Sequence, residues 1–164
     1  MRKEEKHKIF STIEKIVSGG QTGVDRAALD VALELGIPCG GWCPKGRKAE
    51  DGPIDIRYPL NETRSADYRI RTERNVRESD GTLIFTWGKP KGGTALTTRF
   101  AQKYRKPYLV VDLCEEGNPE VVKKWGEVSK IRVLNIAGIR ESERPGIYHR
   151  TVEFLREVFD KTER

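Results

Sequence analysis

The stretch Ile13-Glu14-Lys15-Ile16-Val17-Ser18-Gly19-Gly20-Gln21-Thr22-Gly23-Val24-Asp25-Arg26-Ala27-Ala28-Leu29-Asp30-Val31-Ala32-Leu33-Glu34-Leu35-Gly36 changes its pattern twice. Ile13 to Val17 is a short apolar run that stops at a serine and two glycines, the mark of a strand entering a turn. Val24, Ala27, Ala28, Val31, Ala32 and Leu35 then recur at helical spacing. Gly36 stands where a helix ends, and Pro38 follows. The unit is strand, glycine loop, helix.

Outward from this unit the alternation continues. Ile37 to Trp42 reads as a second, short strand, and 43–64 as a long irregular stretch with three prolines. Loops of that length inside a domain are usually functional or mobile. A helix is expected over 66–78, and Thr82 to Thr86 is a buried strand. It runs into a second glycine loop, Gly88-Lys89-Pro90-Lys91-Gly92-Gly93, with Thr94 leading a helix to about Tyr104. Strands at 107–111 and 131–137 and helices at 118–129 and 145–162 complete the chain, with Pro119 in a first helical turn. Such alternation implies an α/β fold, a doubly wound, mainly parallel sheet between two helical layers. Ligands of these sheets bind outside the carboxyl ends of the strands, where the chain order reverses. Both glycine loops follow strands and belong on that rim.

The 164 residues suit one domain, residues 9–164, behind a solvated basic tail at 1–8. No run of about 18 apolar residues exists, so no membrane helix is expected. The basic start lacks the apolar stretch of a secretory signal. Lys and Arg number 31 against 25 Asp and Glu, a net charge of +6 that favours anionic partners. Basic and acidic residues interleave rather than form a stripe, which disfavours nucleic acid. Three cysteines without an export signal point to a reducing cytoplasm rather than a disulfide framework.

Ser18, Gly19, Gly20, Gln21, Thr22 and Gly23 are the first candidate site. Glycines after a strand let the backbone turn sharply and approach a ligand. The following helix offers unpaired N–H groups and the positive end of its dipole to an anion. The loop is neither a Walker A motif nor G-x-G-x-x-G, since its glycines fall at 19, 20 and 23. A tight turn before a capped helix would use the same residues. Gly92, Gly93 and Thr94 repeat the logic, with Thr94 either an N-cap or a donor to a phosphate oxygen.

Lys45, Arg47 and Lys48 form a basic cluster beside the acidic pair Glu50-Asp51, as in an anion-gripping lid or a merely solvated loop. Tyr68, Arg71, Arg74 and Asn75 share a helical neighbourhood; the arginines either face the pocket or pair with Glu73 and Glu78. Cys39 and Cys43 have the spacing of a zinc pair but lack a second pair, so no metal is expected. Asn135-Ile136-Ala137-Gly138-Ile139-Arg140-Glu141-Ser142 is a further strand-to-loop transition on the same rim.

Residues 18–30, Gly41-Trp42-Cys43-Pro44-Lys45-Gly46-Arg47, Glu50-Asp51-Gly52 and Tyr58-Pro59-Leu60 together resemble the putative molybdenum carrier family. So do Tyr68, Arg71-Thr72, Asn75-Val76, Ser79-Asp80-Gly81, Gly92-Gly93-Thr94 and Asn135-Ile136-Ala137-Gly138. That family is a circularly permuted branch of the LOG and DNA-processing Rossmann-like superfamily, SLOG. The resemblance covers roughly residues 13–159. It implies a Rossmann-like fold, a phosphate-binding pocket, often a homo-oligomer, and one of two ligands: the molybdenum cofactor, carried unchanged, or a nucleotide or its derivative. LOG-type phosphoribohydrolases carry a glutamate three residues after the threonine of their glycine loop. Here Thr97 takes that place, which argues against that hydrolysis.

The expectation is therefore a cytoplasmic binding protein for an anionic small molecule. It has no catalytic residue; Ser18 to Gly23 and Gly92 to Thr94 hold a phosphate, and Lys45, Arg47 and Arg74 add charge. The alternative is a nucleotide sensor or hydrolase using Asp25, Glu50 or Asp51.

Overall fold

A computed structural model describes residues 12–159. The expected basic tail at 1–8 and the part of the expected final helix beyond 159 lie outside them. In chain order the elements are β1 (Lys15–Val17), α1 (Val24–Leu35), β2 (Cys39–Gly40), β3 (Trp42–Cys43), β4 (Asn61–Glu62) and α2 (Tyr68–Glu78). Then follow β5 (Gly81–Thr86), α3 (Gly92–Lys103), β6 (Tyr108–Asp112), α4 (Pro119–Val128), β7 (Val133–Gly138) and α5 (Ile147–Phe159).

Five strands form one parallel sheet in the order β2-β1-β7-β5-β6. Right-handed crossovers set the layers. The connections through α1 and α4 run one way across the sheet, those through α2 and α3 the other. Accordingly α1 and α4 both pack on α5, and α2 packs on α3. Every residue of the inner strand β5 is buried. Ile16, Leu83, Phe85, Leu134 and Ile136 from the sheet meet Val24, Ala28, Phe154 and Leu155 from α1 and α5 in the core. Phe154 meets Phe85 edge-on with ring centroids 5.4 Å apart. This is the Rossmann-like α/β arrangement.

The helix ends obey local chemistry. Gly36 closes α1 in the left-handed conformation (φ 70°). Asp67 and Asn118 accept from the amides of Arg69 and Glu120, both at 2.9 Å, and so cap α2 and α4.

Three expectations are corrected. The single strand over 37–42 is two short strands in different sheets: β2 joins the main sheet, while β3 pairs parallel with β4. The break falls at Gly41 (φ 122°), where a Cβ would lie 2.4 Å from the Ser18 carbonyl oxygen. Thr94 does not begin α3. The helix starts two residues earlier at Gly92, after Lys91 in extended backbone, so Thr94 lies within the first turn. The stretch 43–64 is not merely irregular. It folds over a second, smaller core of Leu29, Cys43, Ala49, Ile54, Tyr58 and Leu60. Arg47 (φ 55°) fastens it, donating to the carbonyls of Ile54, Asp55, Tyr58 and Leu60.

Candidate functional site

Strands β1, β7 and β5 lie side by side, and their carboxyl ends share one rim. The chain leaves β1 toward one edge and β5 toward the other, so the order reverses here. The loop after β1 and the first turn of α3 line one cavity of 110 Å³, with the end of β7 beside them. Gln21 and Asp25 come from the first side, Gly93, Thr94 and Thr97 from the second, and Gly138 from β7. Helix α2 supplies the roof through Tyr68, Arg71 and Thr72.

Much of the first loop is engaged in holding itself. Ser18 Oγ donates to the Ile136 carbonyl at 2.7 Å, fixing the loop to β7. The Gln21 amide donates to Asp25 Oδ2 (3.2 Å), the Thr22 amide to Gln21 Oε1 (3.0 Å) and the Val24 amide to the Ile139 carbonyl (3.1 Å). Those amides point at protein. Gly20 makes room for Ile54 and Leu60 of the smaller core, and Gly23 for the backbone after β7. Gly19 makes room for Arg71: a Cβ there would lie 2.8 Å from Arg71 Nε.

Arg71 is the most deeply placed cation of this cavity, which Arg69 and Arg140 also line. Its side chain is 12% exposed, one terminal nitrogen stands 4.0 Å from Asp25 Oδ2, and the other donates to Thr72 Oγ1. The Tyr68 ring lies 5.4 Å from the guanidinium carbon. Nε is buried and has no hydrogen-bond partner. Leaving a buried charged donor unmatched costs more than about 1–3 kcal/mol, so an oxygen acceptor supplied from outside would be strongly favoured. Beside it, α3 begins without a side-chain cap, on exposed Gly92 and Gly93. Its positive end therefore faces the same space.

Asp25 is the buried carboxyl of this cavity; exposed Glu143, paired with Arg140 at 3.1 Å, lines it as well. Burial pushes the Asp25 pKa up, and Arg71 and the Gln21 amide pull only part of the way back. Thr97, standing where LOG enzymes carry a glutamate, turns its hydroxyl onto the Gly93 carbonyl at 2.9 Å.

The remaining expected residues sit elsewhere. Thr22 and Gly23 line a wider cleft of 810 Å³ on the far side of the loop. Four carboxylates, Asp30, Glu50, Asp51 and Glu141, outnumber two guanidinium groups there, which makes it a poor anion site. Glu50 is held below its usual pKa: burial opposes this, but hydrogen bonds from Ser142 and Thr22 outweigh it. Asp51 is lowered by its paired bonds from Arg26. Lys45 is exposed and lines none of these cavities; Arg47 spends its guanidinium on four carbonyls. Arg74 pairs with Glu78 at 2.6 Å and stacks 3.4 Å over the Trp42 ring. Of the two α2 arginines singled out in the sequence, Arg71 rather than Arg74 faces the rim. Tyr68, Arg71, Thr72 and Asn75 share the i, i+3, i+4, i+7 face, but it is the structure that turns this face inward, with Thr72 and Asn75 buried. Among the described residues no group of three His, Cys, Asp or Glu side chains could hold a metal ion.

The family model of the circularly permutated YpsA SLOG family matches residues 16–159. A crystal structure from Syntrophus aciditrophicus, of a protein named putative molybdenum carrier protein, superposes with a TM-score of 0.88 at 50% sequence identity. The match covers 91% of this chain and 96% of that one. No curated protein matches the chain. With a sheet that reverses at its glycine loops and a family match over nearly its whole described length, this chain belongs to the circularly permuted YpsA branch of the SLOG family.

Proposed function

We propose that the chain binds a small phosphate-bearing ligand at the rim of β1, β7 and β5 and carries it unchanged. The molybdenum cofactor or a nucleotide is the ligand class; the name of the Syntrophus aciditrophicus neighbour speaks for molybdenum carriage. The observation that carries this reading is the buried, unpartnered Nε of Arg71 beside the uncapped start of α3. A tetrahedral oxyanion supplies what both lack: oxygen acceptors for a guanidinium and for helix amides. The grip rests on Arg71, Gly93 and Thr94, with Ser18 to Gly23 as the scaffold that seats Arg71. Isothermal titration calorimetry of phosphate, molybdate, AMP and the molybdenum cofactor tests it. Binding by at least one, lost in Arg71→Ala, is expected; no heat with any of them overturns the reading.

A second reading, hydrolysis of a nucleotide's glycosidic bond, has one buried carboxyl in this cavity, Asp25, which burial favours in the protonated form. Base release from AMP, followed by chromatography, separates it from carriage. Release that disappears in Asp25→Asn while binding persists would establish the hydrolase. The homo-oligomer and the cytoplasmic setting belong to the same reading; sedimentation and cell fractionation test them.

A further inference from the structure

The cavity under Arg71 adjoins a second one of 440 Å³, and Glu143 lines both. Ligand pockets usually hold roughly 300–1,000 Å³. At 110 Å³ the first suits an anion alone, whereas the second has room for a ring system. Its wall is Trp87, the residue after β5, and its mouth carries Lys89, Lys91 and Arg144. The turn that presents Trp87 is pinned on both sides. Thr86 Oγ1 donates to the Gly88 carbonyl at 2.9 Å, and the Gly88 amide to Asp112 Oδ1 at 2.8 Å.

Arg144 lies over the Trp87 ring, its guanidinium carbon 4.0 Å from the centroid. The molecule holds a second such pair, Arg74 on Trp42 at 3.4 Å, and the two differ in one respect. Arg74 is latched by Glu78, which also accepts from the Trp42 indole N–H. Arg144 is exposed and, among the described residues, has no carboxylate within ion-pair distance. One pair is closed; the other is a flat aromatic face under a planar cation that is free to swing. Planar heteroaromatic rings stack well on indole and on guanidinium.

We infer that Trp87 and Arg144 clamp the planar heteroaromatic ring of a ligand whose phosphate lies under Arg71. This rests on the anion site proposed above and places the ring of its phosphate-linked ligand, nucleobase or pterin, in the second cavity. Calorimetry with AMP, neopterin monophosphate, ribose 5-phosphate and inorganic phosphate tests it on the full chain. One ring-bearing phosphate should bind about tenfold or more tightly than ribose 5-phosphate. Trp87→Ala should erase that preference while leaving the Kd of ribose 5-phosphate in place, and Trp87→Phe should keep most of it. Arg144→Ala, at an exposed position that leaves the fold intact by circular dichroism, should weaken only the ring-bearing compounds. A ring that adds no affinity, or a preference that survives both Trp87→Ala and Arg144→Ala, overturns the clamp alone. Failure of all four compounds to bind overturns the clamp and the anion site together.

Discussion

Arg71 and Asp25 show how one buried pair divides its work. Arg71 keeps Asp25 company at 4.0 Å, a separation at which attraction is real but hydrogen bonding is not. The guanidinium therefore keeps donors for a guest. Arg71→Ala should weaken anion binding about tenfold or more, the loss of a charge-assisted hydrogen bond. Arg71→Lys should recover only part, because an ammonium lacks the planar fork; titration calorimetry on both variants measures this. Asp25 yields a pH prediction. Its pKa is raised on folding, so above the ordinary carboxylate value the native state holds more proton than the unfolded chain. Its contribution to stability therefore falls as pH rises through that window. Asp25→Asn should remove this slope: urea unfolding of variant and wild type should diverge from about pH 4 upward, in the variant's favour, and converge below it. Glu50 and Asp51, both lowered, act with the opposite sign in both proteins and cancel in the comparison.

At the scale of elements, the glycines of α1 separate conformational need from spatial need. Gly23 (φ 78°) opens the helix, and a Cβ there would stand 2.6 Å from the Ile139 carbonyl oxygen and 2.7 Å from the Glu141 nitrogen. Gly36 (φ 70°) closes it with open space around it. Gly36→Ala should cost about 1–2 kcal/mol, the left-handed penalty alone. Gly23→Ala should cost about 2–5 kcal/mol, because the backbone after β7 must also move; denaturant midpoints decide between them. Both glycines and both helix ends were legible in the sequence, since a helix and its stops are set by local spacing. The role of Arg47 was not. Its cluster with Lys45 and Lys48 reads as a basic lid, yet its guanidinium is spent on the chain's own carbonyls. Arg47→Ala should open the segment over the smaller core, seen as faster proteolysis between 45 and 60. Arg47→Lys should protect little better, because one ammonium cannot span four carbonyls.

For the whole molecule, an anion that docks at the rim links three strands and two helices, so binding should be read out as global stability. A ligand at a hundred times its Kd adds about 2.7 kcal/mol, which for a chain of this size raises Tm by roughly 5–11 °C; differential scanning calorimetry measures it. From the sequence alone came the alternation of strands and helices, the parallel sheet and the two glycine turns, because period, caps and turn residues act over a few neighbours. So did the family, through motifs strung along most of the chain. The order β2-β1-β7-β5-β6 was beyond local reading, and with it the meeting of both turns at the end of β7. So was the choice between Arg71 and Arg74, three residues apart on one helix. That choice depends on which helical face the sheet and α3 cover, and on Trp42 and Glu78 capturing the other arginine. Burial and long-range pairing are properties of the assembled layers, and they decide which charges are satisfied and which are left with something to bind.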